Sequence, residues 1–358
     1  MAYSINAKDY FNTILYTSNN GSSPRTITGV GFNPDMIWVK NRDSASYNHV
    51  LSDNVRGIGK IIQPDTTVAE SSNSGAGTIT STNSDGFVLT AGSSNLSNYD
   101  TGTNKQVVWN WKASGQGSSN TDGSITSTVS ASTTSGVSIV KWTGSGGNAT
   151  IGHGLGAVPK MIMIKSLANT TSWMVYTAMT GNNSELALNS SATATTSSTA
   201  WQDTDPTSSV FYVSGGAGDG VNYSGDYVAY VFAEKTGFSK FSTYFGNGQA
   251  SDNAFCYCGF KPQFILQKNV EVGENWLQWD TPRNTAVNYN GNTTQVIFEP
   301  NTSGAESNAS ARAIDVYSNG FKIKGNNENY GANGRKYIFM AFAEAPLVGT
   351  NNVPCTAR

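Results

Sequence analysis

Two pairs of oppositely charged residues share one spacing in this sequence. Asp53 and Arg56 are three positions apart, and so are Asp280 and Arg283. In an enzyme, a guanidinium at this spacing could orient an aspartate that acts as a general base. In a structural protein, the same residues would form a charge-assisted pair that fixes a loop to its sheet. We favour the structural interpretation, because the corresponding segment of a third repeat, described below, has threonines at these two positions.

Other side chains with catalytic or metal-binding chemistry are few. The two histidines, His49 and His153, occupy non-equivalent places, and no His, Cys or Asp cluster has metal-ligand spacing. The sequence contains neither a Gly-x-Ser-x-Gly nucleophile turn nor a Gly-x-x-x-x-Gly-Lys phosphate loop. Cys256 and Cys258 flank Tyr257 in a strand-like segment, so they are predicted to share one face as small apolar groups. We therefore expect no enzymatic activity, no cofactor and no metal.

Aromatic residues make up 11% of the chain, and several lie in segments rich in turn-forming residues. Exposed aromatic rings can stack on sugars or anchor a protein interface, and the sequence leaves both roles open. The residues expected to be exposed in loops are Tyr99, Trp201, Tyr223, Tyr289 and Tyr330.

The composition limits the partners. Charged residues are 13% of the 358, about half the usual share, and the formal net charge is -2. No run of Lys or Arg would attract nucleic acid or an anionic membrane, so we expect neither as a partner. The first residues lack the charged and apolar segments of a secretory signal, so we expect synthesis in the cytoplasm without a signal peptide.

The strongest pattern is an internal repeat. A Gly-x-x-Pro turn, an apolar strand and a closing lysine occur three times, in "GFNPDMIWVK" at 31–40, "GLGAVPKMIMIK" at 154–165 and "GFKPQFILQK" at 259–268. Four further landmarks, among them the segments with the Asp-Arg pairs, keep the same order around each copy. Five landmarks recurring in a fixed order indicate one module copied in tandem.

These features predict an all-β protein of three tandem antiparallel β-sandwich domains, jelly-roll-like in form, because apolar segments are short and turn signals recur about every ten residues. The predicted sandwich repeats span 1–113, 137–235 and 236–346. A Ser/Thr/Gly-rich linker is predicted at 114–136, although "SITSTVSAS" within it alternates enough to add an edge strand. A C-terminal tail is predicted at 347–358.

The strand after each Pro is predicted to be buried, because Pro fixes φ and suits the entry of a strand. Lys40, and likewise Lys268, is predicted to return the chain to solvent. The predicted structural core of the repeats consists of Trp38, Val39, Met163, Ile164, Ile265 and Leu266.

The segments "GFNPDMIWVKNR", "LSDNVRG", "SDGFVLT", "VVWNWKA", "YVAYVFAE" and "MAFAEAP" together resemble a family of tailed-bacteriophage virion proteins, whose genes are usually labelled tail fibre or structural protein. The resemblance covers nearly the whole chain. It implies a non-enzymatic component of the virion, made in the host cytoplasm, and brings no catalytic residue with it.

Two virion roles follow from this resemblance. A head decoration or cement protein would bind the major capsid protein or other virion proteins and stabilise the shell. A tail fibre or receptor-binding protein would recognise host glycans through aromatic loops. We favour decoration, because no heptad, Gly-x-y or β-helical shaft pattern appears. A homotrimer is one expected assembly.

Overall fold

The computed structural model describes residues 5–19, 23–72, 75, 77–91, 99–100, 102–197, 199–215, 221–284, 293–308 and 310–346. Strands dominate these residues, and their only helical elements are two short 3-10 turns, Ala7–Asp9 and Ser310–Arg312. The named strands pair in antiparallel ladders. The predicted class, an all-β fold of sandwich-like units, is confirmed.

The first unit, here called repeat 1, spans residues 11–111. Its two sheets have the strand orders β1-β7-β3-β4 and β2-β6-β5. The strands are β1 (Phe11–Thr17), β2 (Arg25–Ile27), β3 (Met36–Asn41), β4 (Val50–Asp53), β5 (Thr78–Asn83), β6 (Gly86–Thr90) and β7 (Lys105–Trp111).

Repeat 2 spans residues 118–232 and has one large and one small sheet. The sheet orders are β15-β14-β13-β12-β17-β10-β9-β8 and β11-β16. The strands are β8 (Ser118–Asn120), β9 (Ser127–Ser132), β10 (Val137–Gly144), β11 (Ala149–Gly152), β12 (Met161–Ser166), β13 (Met174–Thr177), β14 (Ser184–Ala187), β15 (Thr195–Thr196), β16 (Val210–Val213) and β17 (Gly225–Phe232).

Repeat 3 spans residues 239–346. Its sheets have the orders β18-β27-β20-β21-β23-β24 and β19-β26-β25-β22. The strands are β18 (Ser239–Phe245), β19 (Phe255–Tyr257), β20 (Phe260–Asn269), β21 (Leu277–Asp280), β22 (Thr293–Thr294), β23 (Val296–Phe298), β24 (Ser307–Asn308), β25 (Ala313–Tyr317), β26 (Gly320–Lys324) and β27 (Lys336–Pro346).

One strand order is common to the larger sheet of every repeat. Counting repeat 2 from β10, because β8 and β9 are additions at the sheet edge, the first, last, third and fourth strands lie side by side as β1-β7-β3-β4, β10-β17-β12-β13 and β18-β27-β20-β21. Trp38, Met163 and Leu266 occupy the same place in this order, each on the strand that lies between the last and the fourth strand.

The segment 114–136 differs from the predicted linker. It contributes β8 and β9 to the edge of the large sheet of repeat 2, where β9 pairs with β10. Alternation in "STVSAS" accounts for this, since Ser127 and Val129 are buried and Thr128 between them is half-buried. The predicted tail at 347–358 lies outside the described residues.

The central strands are buried on both faces, which explains their continuous apolar sequences. In β3, Ile37 and Val39 face the core inside repeat 1, whereas Met36 and Trp38 face a core shared by all three repeats. In β12 the same division separates Ile162 and Ile164 from Met161 and Met163. All six predicted core residues are buried: Trp38, Val39, Met163, Ile164, Ile265 and Leu266.

Candidate functional site: the joints between repeats

The three repeats close into a ring within one chain. The Glu70 N–H donates to the Leu167 carbonyl oxygen at 3.0 Å, linking repeat 1 to repeat 2. The Ala194 N–H of repeat 2 donates to the Val270 carbonyl oxygen of repeat 3 at 3.0 Å. A third bond, from Glu306 N–H to the Arg42 carbonyl at 2.8 Å, returns from repeat 3 to repeat 1.

The three bonds occupy equivalent positions, because each acceptor lies two residues after the lysine that closes the strand (40, 165 or 268). We call these contacts joint 1–2, joint 2–3 and joint 3–1. Their regular geometry gives the chain a threefold pseudosymmetry, with the shared core in the middle.

The lysines that close the strands are buried in these joints, so the predicted return of Lys40 and Lys268 to solvent is wrong. Lys165 Nζ donates to the carbonyls of Asn169 and Thr171 in repeat 2 and of Thr67 in repeat 1, at 3.0–3.3 Å. Burial lowers the pKa of Lys40, Lys165 and Lys268 to about 8.

The other two lysines make related contacts. Lys268 Nζ donates to Ser191 of repeat 2 at 3.2 Å and to Asn269 at 2.6 Å. Lys40 Nζ donates to the carbonyl oxygen of the next residue, Asn41, and lies 5.5 Å from the ring centre of Phe298 in repeat 3. Carbonyl oxygens therefore replace the water that a buried ammonium loses.

The first Asp-Arg pair lies at joint 1–2 with both side chains fully buried. Asp53 accepts hydrogen bonds from Arg56 Nε at 2.5 Å and from the Tyr230 hydroxyl of repeat 2 at 2.6 Å. Arg56 also donates to Glu70 at 3.1 Å and to the Leu51 carbonyl. Burial alone would lower the Arg56 pKa, but Asp53, Tyr230 and Glu70 raise it, so the guanidinium stays charged.

The second pair repeats this arrangement at joint 3–1. Asp280 accepts from Arg283 Nε at 2.6 Å and from Trp109 Nε1 of repeat 1 at 2.9 Å. Glu306 binds Arg283 and, through two bonds of 2.6 and 2.9 Å, Arg42 of repeat 1. Each pair therefore joins a loop to its own strand and also binds the neighbouring repeat.

At joint 2–3 the whole charged set is replaced. Thr177 and Thr180 stand in the places of Asp and Arg, and Ala194 stands where the other joints have Glu70 and Glu306. Sheet register explains the change. Tyr230 pairs with Met163 in repeat 2, and Trp109 pairs with Trp38 in repeat 1. The equivalent residue of repeat 3 is Met340, which pairs with Leu266. A thioether has no hydrogen to donate, so an aspartate there would lack its third partner.

His49 occupies the position that Trp173 and Trp276 hold in the other repeats. The indole N–H groups of both tryptophans donate across a joint, Trp173 to the Gln63 carbonyl and Trp276 to the Ala187 carbonyl. His49 Nδ1 accepts from Trp38 Nε1 at 3.0 Å, and its ring packs edge-on against Phe298 of repeat 3. Burial, with Lys40 and Arg283 nearby, lowers its pKa well below the usual value.

The geometry of the joints is that of an internal brace. The carboxylates and guanidinium groups of the two pairs are saturated by protein groups, and neither pair lines either of two surface cavities. One cavity, about 410 Å³, lies between repeats 1 and 3 and is lined by residues such as Asn12, Gln263 and Glu344. The other, about 420 Å³, lies beside β14 in repeat 2.

The expected exposed aromatic loops are mostly absent. Tyr99, Trp201 and Tyr330 are buried, Tyr223 is half-buried, and Tyr289 lies outside the described residues. The buried rings use their polar atoms internally: Trp201 Nε1 donates to the Ser184 carbonyl and the Tyr330 hydroxyl to the Lys324 carbonyl. Sequence reasoning placed them outside because Gly, Asn and Ser surround them, although these loops fold back over the sandwiches.

Among the described residues, no cluster of three or more His, Cys, Asp or Glu side chains could hold a metal ion. The same part of the chain has no helix of the length and apolar character needed to cross a bilayer. Cys256 and Cys258 are free and buried on the same face, as expected for small packing groups.

Comparison with known proteins gives a family but no activity. Residues 6–346 match the family described as a domain of unknown function, DUF7483, so the chain belongs to that family. No curated protein and no solved structure matches the chain.

Proposed function

We propose that the protein is a non-enzymatic structural component of a bacteriophage virion, and that it decorates the head and stabilises the capsid shell. The observation that carries this proposal is the closed ring. Three similar sandwiches are fixed to one another by buried charge pairs and lysines, and the residues most suited to chemistry by type and spacing are used for bracing.

A ring of this kind suits adhesion to a lattice. Three related outer surfaces, held at fixed positions, can contact neighbouring shell subunits at once, and linked contacts add by effective concentration. The partner is the major capsid protein or another virion protein. The resemblance of the sequence to tailed-phage virion proteins supports the same role.

The alternative, a fibre protein that binds host glycans, depends on exposed aromatic residues in loops. Three of the five residues expected there are buried, which weakens that basis. Soluble protein that competes with phage adsorption to host cells would favour the fibre role over decoration.

The test uses heads with and without the protein. Purified chain is expected to bind expanded capsids, and shells that lack it are expected to rupture at lower temperature and lower osmotic stress. Heads that melt alike in both cases would rule out the cement role. Labelled antibody on intact particles would separate head from tail placement.

A further inference from the structure

The outer edge of β19 has backbone groups without a strand partner among the described residues. Cys256 pairs with Phe321 of β26, and the neighbouring groups Cys258 N–H and Ala254 C=O also bond toward β26 and its turn. Because hydrogen bonds alternate along an antiparallel strand, the N–H and C=O groups of Phe255 and Tyr257 point to the opposite, open side.

In repeat 2 the strand edge equivalent to the open edge of β19 is occupied. There the equivalent strand β11 is covered by the chain's own residues 124–127, which run parallel to it with Ile125 beside Ile151. Ile125 N–H donates to the Thr150 carbonyl at 3.2 Å, and Thr150 N–H donates to Ser124 Oγ at 2.9 Å. Ser127 Oγ donates to the Gly152 carbonyl at 3.0 Å.

The two edges correspond residue by residue. Ile151 pairs with Phe211 as Cys256 pairs with Phe321, so Thr150 corresponds to Phe255 and Gly152 to Tyr257. The backbone groups that bind residues 124–127 in repeat 2 are therefore the ones left open in repeat 3.

The side chains beside the open edge also differ between repeats. Phe255 is 47% exposed and Tyr257 is 59% exposed, and the Phe255 ring packs edge-on against Tyr317 at 5.9 Å. In repeat 1, where Ile27 pairs with Phe87, the equivalent residues are Thr26 and Thr28, both exposed. An exposed strand edge with large aromatic side chains is a surface that soluble proteins usually protect.

We propose that the open edge of β19 binds an extended segment of another protein by strand addition. The segment would run parallel to β19, as residues 124–127 run beside β11, and would bond to the N–H and C=O of Phe255. Its side chains would pack on Phe255 and Tyr257, since aromatic side chains favour β-branched neighbours across strands. The inference does not depend on the virion role.

The internal example defines the chemistry of the partner segment. Residues 122–130 read "DGSITSTVS": hydroxyl-bearing and β-branched residues, no Pro in the paired stretch, and one charge. Gly123 lies where a Cβ would be 2.3 Å from the Thr150 carbonyl, so a small residue precedes the paired stretch. We expect a partner strand of the same kind, with at most one charge outside the paired stretch and rich in Ser, Thr, Ile and Val.

A synthetic peptide of sequence "DGSITSTVS" is the probe. The full chain is incubated with about 1 mM peptide, a concentration suited to a weak single-strand contact, and amide hydrogen exchange is followed by mass spectrometry. Exchange of residues 254–258 is expected to slow severalfold. A peptide with Ile125→Pro, which lacks the donor to the edge carbonyl, is expected to leave exchange unchanged.

A matched variant tests the aromatic residues. Phe255→Thr with Tyr257→Thr installs the residues of repeat 1 at exposed positions, so folding is retained while protection by the peptide is lost. Thr26→Val with Thr28→Val, at the edge of repeat 1, is expected to leave protection of 254–258 intact. Equal exchange with and without peptide, or equal protection in the Phe255→Thr/Tyr257→Thr variant, would overturn the proposal.

Two other occupants are separated by further measurements. A dimer of the chain that dissociates in the Phe255→Thr/Tyr257→Thr variant would identify a second copy, and would overturn the assignment to another protein. A chain ending at Pro346 is expected to bind the peptide as the full chain does. Stronger binding by the shortened chain would show that its own C-terminal residues compete for the edge, which would also contradict the proposal.

Discussion

Asp53 accepts hydrogen bonds from Arg56 and from Tyr230 on the neighbouring repeat, and all of these groups are buried. A buried ion pair contributes little net stability compared with an apolar replacement of the same shape, but removing one member leaves an uncompensated charge. The joints follow this rule, since joint 2–3 lacks the aspartate, the arginine and the glutamate together. Removing one member of a charged set should therefore lower the free energy of unfolding strongly, whereas replacing the whole set should lower it only slightly.

We expect Asp53→Ala to lower the free energy of unfolding by about 3–5 kcal/mol, because it leaves the Arg56 guanidinium and the Tyr230 hydroxyl without their acceptor. Urea denaturation followed by tryptophan fluorescence measures the loss. The fourfold variant Asp53→Thr, Arg56→Thr, Glu70→Ala and Tyr230→Met gives joint 1–2 the residues of joint 2–3, and should lose about 2 kcal/mol or less. If the fourfold variant were less stable than Asp53→Ala, the idea of one interdependent set would be wrong.

His49 should make stability depend on pH below neutrality. Its pKa is lowered in the folded protein by burial and by Lys40 and Arg283, so below about pH 6.5 the unfolded chain takes up a proton that the folded chain does not. Stability is therefore lost as the pH falls, by about 1.4 kcal/mol per pH unit for this one group.

The measurement compares wild type with His49→Gln, whose amide oxygen can still accept from Trp38. The wild type should lose more stability than the variant between pH 6.5 and pH 5. The contribution of His153, whose pKa burial also lowers, is common to both chains. Parallel pH curves would contradict a neutral, buried His49.

At the scale of strands, β3, β12 and β20 each have a buried lysine as their second-to-last residue. Each lysine donates to carbonyl oxygens at the end of its own strand or in the following loop and contacts the neighbouring repeat. We expect Lys165→Met to destabilise the protein by about 2–4 kcal/mol, because three carbonyl oxygens lose the ammonium group that donates to all of them. Chemical denaturation measures the change. Lys141→Met is the control: its side chain is 36% exposed in a surface pair with Asp226, and its loss should change stability by less than about 1 kcal/mol.

The same lysines show the limit of reading strands from the sequence. In repeat 1 the sequence predicts strands near 14–17, 25–31, 35–40, 48–52, 58–63, 77–82, 86–90 and 105–112. All of them except the one near 58–63 overlap a strand of the structure, because apolar alternation and Gly or Pro turns reflect local geometry. A lysine that follows a run of apolar residues predicts that the strand ends there and that the lysine is exposed to solvent. Its burial depends on loop carbonyls up to 98 residues away, which leave no local pattern.

The joints were partly readable. The Asp-x-x-Arg spacing, together with its replacement by threonines in one copy, predicts a brace, whereas the partners Tyr230 and Trp109 lie 177 and 171 residues away. One signal was available: the charged pair is missing from the repeat whose neighbour carries Met340 at the partner position. Comparing the three copies column by column could have shown that the repeats contact one another in a cycle.

At the scale of the whole molecule, ring closure makes the repeats interdependent. The central core takes side chains from all three, such as Trp109, Met163 and Phe264. Arg42 of repeat 1 and Glu306 of repeat 3 form an ion pair across 264 residues of sequence. A repeat released from the ring would expose the outer face of its central sheet. Unfolding one repeat therefore removes the partner surface of the other two.

We expect one cooperative unfolding transition for the full chain, with coincident curves by tryptophan fluorescence and by far-ultraviolet circular dichroism. Glu306→Ala, which cuts the Arg42 and Arg283 contacts at joint 3–1, should speed hydrogen exchange in all three repeats, including β12 on the far side of the ring. The control Arg335→Ala removes an exposed pair with Glu328 inside repeat 3 and should change stability by less than about 0.5 kcal/mol. In a closed ring, weakening one joint should destabilise all three repeats, because each repeat contacts the other two. Three separate transitions, or faster exchange confined to repeats 1 and 3, would therefore mean that the sandwiches unfold independently.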